Sequence, residues 1–331
     1  MSQHLFSVEK VEALIRRGAG LLLAGDESLL RRLPPGNWIG GTIPYFMAEG
    51  GGCVDHQRIF VNELPAGLEV TGIRRYGDGD IERIYSDLPT NGFGVVIAPA
   101  SSKVHLSFAL NAPKYDGFAM RPLIGWISGV HLSELGRVTP KVFDGNSSEA
   151  LDQQAVVMHV ALPPGKVAEI GILNIFKESD GPAITFPTSG FAASTVEVDG
   201  RPCNLAEFIE ESGLDTRAPL VADYCGTNIN VSFQAVDRAK GEVRFYAPVF
   251  PGLRYHHAKP VSDYVAEFAS GLPRGIDGKL AFSCNCILNY LHSGLEGRST
   301  GGIVGPITFG EVAYQLLNQT MVYLTIDSAC A

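Results

Sequence analysis

Two cysteines separated by one residue, Cys284 and Cys286, form the stretch of this sequence with the most reactive side chains. A thiolate is a nucleophile and a soft-metal ligand, and a predicted helix that begins at Cys286 would lower the pKa of that thiol. His292 follows six residues later, but a nucleophile needs a base within hydrogen-bond reach, and zinc needs more ligands than this spacing supplies. Two alternatives remain, a cysteine nucleophile or a pair of structural thiols, and the usual burial of cysteine favours the second.

A single acid, Glu311, lies in an apolar and glycine-rich stretch, GGIVGPITFGEVAYQ (residues 301–315), and a similar stretch, WIGGTIPYFMAEGGG (residues 38–52), lies near the other end. Glycines at strand ends let a ligand approach the backbone closely, and a partly buried carboxylate needs a charged or hydrogen-bonding partner. Alternatively, the glycines serve turns and packing, and Glu311 pairs locally on the surface. We expect one shared cleft lined by Asp26, Gly40, Gly41, Thr42, Cys284, Gly305, Gly310 and Glu311.

Asp26 directly follows the apolar run LLLAG, a position where polar residues often meet a ligand. It is equally suited to cap the helix that should follow. The histidines of Asp55-His56 and His256-His257 are further candidates for metal binding or proton transfer, but neither pair has the H-E-x-x-H or H-x-H spacing. The phosphate-binding glycine motifs are absent. We therefore predict neither a cofactor nor a metal site.

The composition limits the classes of protein to which this chain can belong. It has 331 residues, 45% of them hydrophobic and 18% charged, and no apolar run reaches the roughly 20 residues that a membrane crossing requires. A net charge of −9 without a basic stripe argues against nucleic acid as a partner. The six cysteines include no C-x-x-C pair, so we expect no disulfide and no structural zinc. The beginning of the chain lacks an apolar signal region, and we expect a cytoplasmic protein with no membrane partner.

The order of predicted elements is similar near the two ends of the chain. Residues 8–46 predict a helix, a strand, a helix and a strand, and residues 262–312 predict the same order with similar spacing. The middle of the chain contains β-branched and aromatic runs separated by turn residues, together with one helix, NLAEFIEESGL. We predict an α+β protein of two pseudo-symmetric halves, with mixed β-sheets flanked by helices. The predicted parts are residues 1–180 and 181–331.

Four segments, taken in order, resemble the FIST family of intracellular sensory domains. They are NWIGGTIPYF (residues 37–46), STVEVDGRPCNLAEFIEESGL (residues 194–214), GEVRFYAPVFPGLRY (residues 241–255), and the pair LAFSCN and GPITFGEV in the last third. The resemblance covers nearly the whole chain and implies an N-terminal and a C-terminal FIST part. It also implies sensing of a small molecule, with amino acids as candidate ligands and no established catalysis.

These observations favour a cytoplasmic sensory or signalling protein that binds a small ligand, such as an amino acid or a similar metabolite. Its partners would then be the ligand and a signalling protein. The alternative is a hydrolase or transferase with a Cys284 or Cys286 nucleophile. The sequence names neither the ligand, the oligomeric state nor the output partner.

Overall fold

The computed structural model describes residues 4–224, 226–272 and 279–329. It is an α+β fold with 17% helix and 42% strand, arranged as five mixed or antiparallel sheets and six α-helices, which confirms the predicted class. None of the described helices is both long and apolar enough to cross a membrane. Four of the five sheets have six strands. Three of these four share the same strand order, and each of the three is built mainly from one unit of the chain.

The first unit occupies residues 5–63 and begins with a short amphipathic helix. Val8, Val11 and Ile15 recur at helical spacing and face the core, as their pattern predicts. The elements of this unit are β1 (Leu5–Phe6), α1 (Val8–Arg16), β2 (Leu21–Gly25), α2 (Glu27–Leu30), β3 (Trp38–Thr42), β4 (Tyr45–Ala48), β5 (Gly51–Val54) and β6 (Ile59–Glu63). Strands β2 and β3 are parallel, and helix α2 connects them.

The second unit, residues 69–161, repeats this arrangement with a longer crossover helix. Its elements are β7 (Glu69–Tyr76), a 3₁₀ turn (Ile81–Arg83), β8 (Gly92–Pro99), α3 (Lys103–Asn111), β9 (Leu123–Ser128), β10 (Val142–Asp144), β11 (Glu149–Leu151) and β12 (Ala155–Ala161). Strands β8 and β9 are parallel. Every residue of both strands is buried, as is typical of parallel strands covered on both faces.

The third unit begins with β13 (Lys166–Leu173), and an inserted segment, residues 174–262, separates this strand from the rest. The inserted segment contains β14 (Ile184–Thr185), β15 (Gly190–Ala193), β16 (Thr195–Val198), β17 (Arg201–Asn204), α4 (Leu205–Ser212), β18 (Leu220–Tyr224), β19 (Thr227–Val231), β20 (Phe233–Asp237), β21 (Glu242–Val249) and β22 (Tyr255–His257). The third unit resumes with α5 (Tyr264–Gly271), β23 (Leu280–Cys286), α6 (Ile287–His292), β24 (Gly305–Thr308), β25 (Glu311–Ala313), β26 (Gln315–Leu317) and β27 (Met321–Ser328). Strands β23 and β24 are parallel.

The three main sheets exchange β-hairpins in a closed cycle. Their strand orders are β1-β6-β2-β3-β10-β11, β7-β12-β8-β9-β25-β26 and β13-β27-β23-β24-β4-β5. In each sheet, the last two strands are a hairpin from a different unit: the first sheet takes its hairpin from unit two, the second from unit three, and the third from unit one. No unit can therefore complete its own sheet.

The predicted similarity between residues 8–46 and 262–312 is confirmed in element order and in strand pairing. Both segments contain helix, strand, helix and strand, and in both the two strands are parallel. The structure adds another unit of the same topology between these two segments, the second unit. The sequence did not reveal it because the first helix of the second unit is reduced to a 3₁₀ turn. The division at residues 180 and 181 stays a prediction, although β13 and β27 from its two sides pair along their full length.

The inserted segment folds as its local sequence predicts. Helix α4 begins at the N-cap Asn204 and ends at Gly213, which adopts the left-handed conformation with φ 63°. Asp199 and Gly200 both have positive φ and join β16 to β17 in a two-residue hairpin turn. Strands β20 and β21 form an antiparallel hairpin.

Candidate binding pocket

The structure distributes the eight predicted site residues over three places. Asp26 and Thr42 line a surface pocket of about 170 Å³. Cys284 and Gly305 line a small internal cavity of about 10 Å³. The remaining four, Gly40, Gly41, Gly310 and Glu311, are buried in strands or strand connections. The predicted single cleft is therefore wrong, while a ligand-binding role for each residue stays a prediction.

Glycine is required in these strands because other parts of the chain approach them closely. A Cβ atom on Gly41 would lie 2.8 Å from Ile97 Cγ2 and 2.9 Å from Trp126 Nε1, both of which belong to the second unit. A Cβ atom on Gly305 would lie 2.2 Å from the carbonyl oxygen of Ser283 on the neighbouring strand. None of these three distances leaves room for a side chain. Close packing, the alternative that the sequence had left open, therefore requires glycine at Gly41 and Gly305.

Glu311 is fully buried in β25 and does not lie on a surface turn. Its Oε2 atom accepts hydrogen bonds from the hydroxyl of Thr320 at 2.9 Å and from the Thr320 backbone N–H at 3.3 Å. Burial raises the pKa of Glu311 to about 8, against a smaller lowering by the bonds from Thr320. The protonated carboxyl group therefore predominates near neutral pH and offers little negative charge to a ligand.

Burial also removes the basis for a cysteine nucleophile. Cys284 and Cys286 are each about 1% exposed, and burial raises the pKa of both thiols well above the usual value. The Cys284 thiol donates to the carbonyl oxygen of Gly125 at 3.4 Å. Both side chains behave as structural thiols. Cys53 and Cys203 are free and partly buried, whereas Cys225 and Cys330 lie outside the described residues.

Asp26 occupies the N-cap position of α2, but its side chain makes no capping hydrogen bond. Its Oδ2 atom instead lies 2.8 Å from Nδ1 of His56. Asp26 directly follows Gly25, which pairs with Thr42 at the carboxyl ends of the parallel strands β2 and β3. The carboxyl ends of parallel strands are a common position for ligand sites. The capping role that the sequence allowed for Asp26 is thus unused, and its carboxylate contacts His56 and lines the pocket.

His131 completes this site, and sequence reasoning missed it. The connection between β9 and β10 passes over the carboxyl ends of β2 and β3 because β10 pairs with β3. It brings the His131 ring to 5.4 Å from the His56 ring and stacks it on Tyr45 at 5.5 Å, measured between centroids. The Tyr45 hydroxyl accepts a hydrogen bond from the backbone N–H of Leu132, which fixes this connection. The only sequence signal was a histidine next to turn residues.

The pocket is rich in carboxylates. Its polar lining comes from Asp26, Glu27, Ser28, Thr42, His131, Glu134 and Thr139. Glu27 forms an ion pair with Arg31 one helical turn away, and Asp26 contacts His56. Glu134 makes no ion pair within the described part of the chain. The pocket thus contains negative charge that the described residues neutralise only in part. The described part of the chain contains no group of three or more histidine, cysteine or acidic side chains arranged to hold a metal.

The chain belongs to DUF6976, a family of unknown function, whose sequence model matches residues 6–327. The assignment to the FIST family is wrong, because this match covers almost the whole chain and no match to FIST was found. The segments behind that resemblance are explained by local structure; for example, Asp199-Gly200 is a hairpin turn. No curated protein and no solved structure matches the chain.

Proposed function

We propose that this protein binds a small metabolite that carries an amine, such as an amino acid, in the pocket between Asp26, Thr42, His131 and Glu134. A cytoplasmic sensory or signalling role, with a signalling protein as a second partner, belongs to the same proposal. The observation that carries the proposal is the position of the Asp26 carboxylate. It makes no capping hydrogen bond to α2, lies at the carboxyl ends of two parallel strands and lines a pocket with Glu134.

Charge supports an amine as the recognised group. The acids of the pocket outnumber the cations that contact them, and a partly buried carboxylate is stabilised by a charged hydrogen-bond donor. An ammonium group supplies three such donors. The His131 ring and the hydroxyl-bearing side chains that line the pocket add polar and apolar contacts for the rest of the ligand.

Size supports a small ligand. A volume of about 170 Å³ is below the range of roughly 300–1,000 Å³ that is usual for drug-sized ligands, and equals about five or six water molecules of the liquid. A nucleotide or a large cofactor is larger than this volume.

Titration calorimetry tests this proposal with the twenty amino acids, each compared with an analogue that lacks the amine. We expect at least one amino acid to bind and its amine-free analogue to bind at least tenfold more weakly. Asp26→Asn and Glu134→Gln should each weaken that binding by about 10- to 100-fold, because a charged hydrogen bond contributes roughly 1.5–3 kcal/mol.

Glu12→Gln is the matched control, since Glu12 pairs with Arg16 on the surface of α1 and lies outside the pocket. It should bind like the wild type. If no amino acid binds, or if Asp26→Asn and Glu134→Gln bind like the control, the pocket is not the site.

A further inference from the structure

A cleft of about 610 Å³ lies between the inserted segment and the third unit. The inserted segment contributes Asp215 and Arg217, and the third unit contributes Tyr264 of α5, His292 of α6 and Arg298. Clefts between separately folded parts of a chain are common ligand sites, and this volume is within the usual range for small molecules. The cleft is distinct from the carboxylate-rich pocket, since the two have no lining residue in common.

The two carboxylates of the cleft already have partners within the protein. Asp215 accepts hydrogen bonds from Nε and Nη2 of Arg217 at 2.9 and 2.8 Å, and from the Arg217 backbone N–H at 3.0 Å. The bond from the Arg217 side chain is the largest influence that lowers the pKa of Asp215 to about 2. Asp263 accepts the N–H of Ala266 as the N-cap of α5. The acceptors of the cleft are therefore largely used.

By contrast, several N–H donors of the two arginines in the cleft have no partner among the described residues. Arg298 Nη2 lies 3.9 Å from Asp263 Oδ1, which is beyond hydrogen-bond distance, and the Arg298 side chain makes no hydrogen bond within the described residues. Arg217 uses Nε and Nη2 for Asp215, which leaves Nη1 without a partner among those residues. A guanidinium has five N–H donors in a planar arrangement that matches the oxygens of a carboxylate or a phosphate. The cleft thus has an excess of donors with this geometry.

We propose that this cleft is a second binding site, which takes a small organic oxyanion through Arg217 and Arg298. The recognised group is a carboxylate or a phosphate ester, both of which present the same pattern of negatively charged acceptors. The side chains of Ser262 and Ser293 line the same cleft and supply hydroxyl groups for the remainder of the ligand. His292 lines the same cleft with an exposed side chain and offers one ring nitrogen as a further donor.

Titration calorimetry at constant ionic strength tests the site with two probes, citrate for the carboxylate and glycerol 3-phosphate for the phosphate ester. We expect at least one probe to bind, and the probe that binds identifies the group. Arg298→Gln and Arg217→Gln should each weaken its binding at least tenfold. Both arginines are exposed and form surface ion pairs, so neither change should prevent folding.

Arg238→Gln is the control, because Arg238 lies in the same inserted segment, is equally exposed and pairs with Glu210 outside the cleft. It removes one positive charge from the protein and should leave binding unchanged. Asp26→Asn should also leave it unchanged, which separates this site from the amine pocket. The proposal is overturned if neither probe binds, or if Arg298→Gln and Arg238→Gln affect binding equally.

Discussion

The side chain of Glu311 is an acid in a position where the fold otherwise buries apolar groups. Its neighbours in β25 are Val312 and Ala313, and burial holds its pKa at about 8. Oε2 is bonded to Thr320, while Oε1 is buried and has no hydrogen-bond partner in the described part of the chain. A buried carboxyl group of this kind stays neutral because ionisation without a cationic partner would cost several kcal/mol. The folded structure therefore favours the protonated form of Glu311.

Stability should therefore fall as the pH rises from about 4.5 to about 8. In the unfolded chain Glu311 has an ordinary pKa of 4.5, and in the folded protein its pKa is about 8. Between these values the folded state binds more protons than the unfolded state, so raising the pH favours unfolding. The loss across this window is on the order of 4 to 5 kcal/mol.

Glu311→Gln removes this dependence, since an amide keeps the shape and cannot ionise. Urea unfolding at pH 5, 6.5 and 8 should show the variant gaining stability relative to the wild type as the pH rises. Glu82→Gln, a change at an exposed residue, is the control and should follow the wild type. Parallel curves for wild type and Glu311→Gln would show that Glu311 ionises in the folded protein at no cost.

At the scale of elements, the helices differ in how they begin. The side chain of Asn204 accepts a hydrogen bond from the N–H of Glu207 at the start of α4, and that of Asp263 accepts one from Ala266 at the start of α5. Asp26 stands at the same position before α2 but contacts His56. Asp26 is suited to capping, yet its side chain is directed away from the helix. This direction favours a role of Asp26 in ligand recognition over a role in helix stability.

The stability of two alanine variants should separate these roles. Asn204→Ala should lower the free energy of unfolding by about 1 kcal/mol, because it removes a cap. Asp26→Ala should lower it by less than about 0.5 kcal/mol, because an exposed ion pair contributes little. Urea unfolding at one pH measures both. An equal or larger loss in Asp26→Ala would mean that the carboxylate is structural and would weaken the proposed amine site.

At the scale of the whole molecule, the three main sheets are interlocked. The hairpin of each unit completes the sheet of another, so the unfolding of one unit removes two strands from a second. This arrangement couples segments that are remote in sequence, since β25 of the third unit pairs with β9 of the second. The three units should therefore unfold together as one cooperative system.

The two tryptophans report on this coupling. Trp38 lies in the first sheet, Trp126 lies in the second, and the sequence contains no other. Trp38→Phe and Trp126→Phe each leave one fluorescent probe, and circular dichroism of the same variant gives an overall reference. In each variant the fluorescence and circular dichroism transitions in urea should coincide. Fluorescence that changes at a distinctly lower urea concentration than the circular dichroism would show that the units unfold separately.

Local features were predictable because they depend on residues that are near one another in sequence. The spacing of Val8, Val11 and Ile15 determines the buried face of α1, and Gly213 ends α4 because it can adopt a positive φ. The burial of Glu311 was not predictable in this way. Its environment includes Thr320 and Cys286, and that proximity exists only after β23, β25 and β27 have packed.

The sequence by itself determined the α+β class, most element positions and the repeated order at its two ends, because side-chain periodicity and turn residues act over a few positions. Only the tertiary structure decided which unit receives each hairpin. That exchange brings His131 from the second unit to the pocket of Asp26 and His56 in the first. The tertiary structure also places Gly41 against Trp126, where close packing leaves no room for a side chain. Pairing between remote strands depends on the complementarity of whole surfaces, which no single stretch of sequence contains.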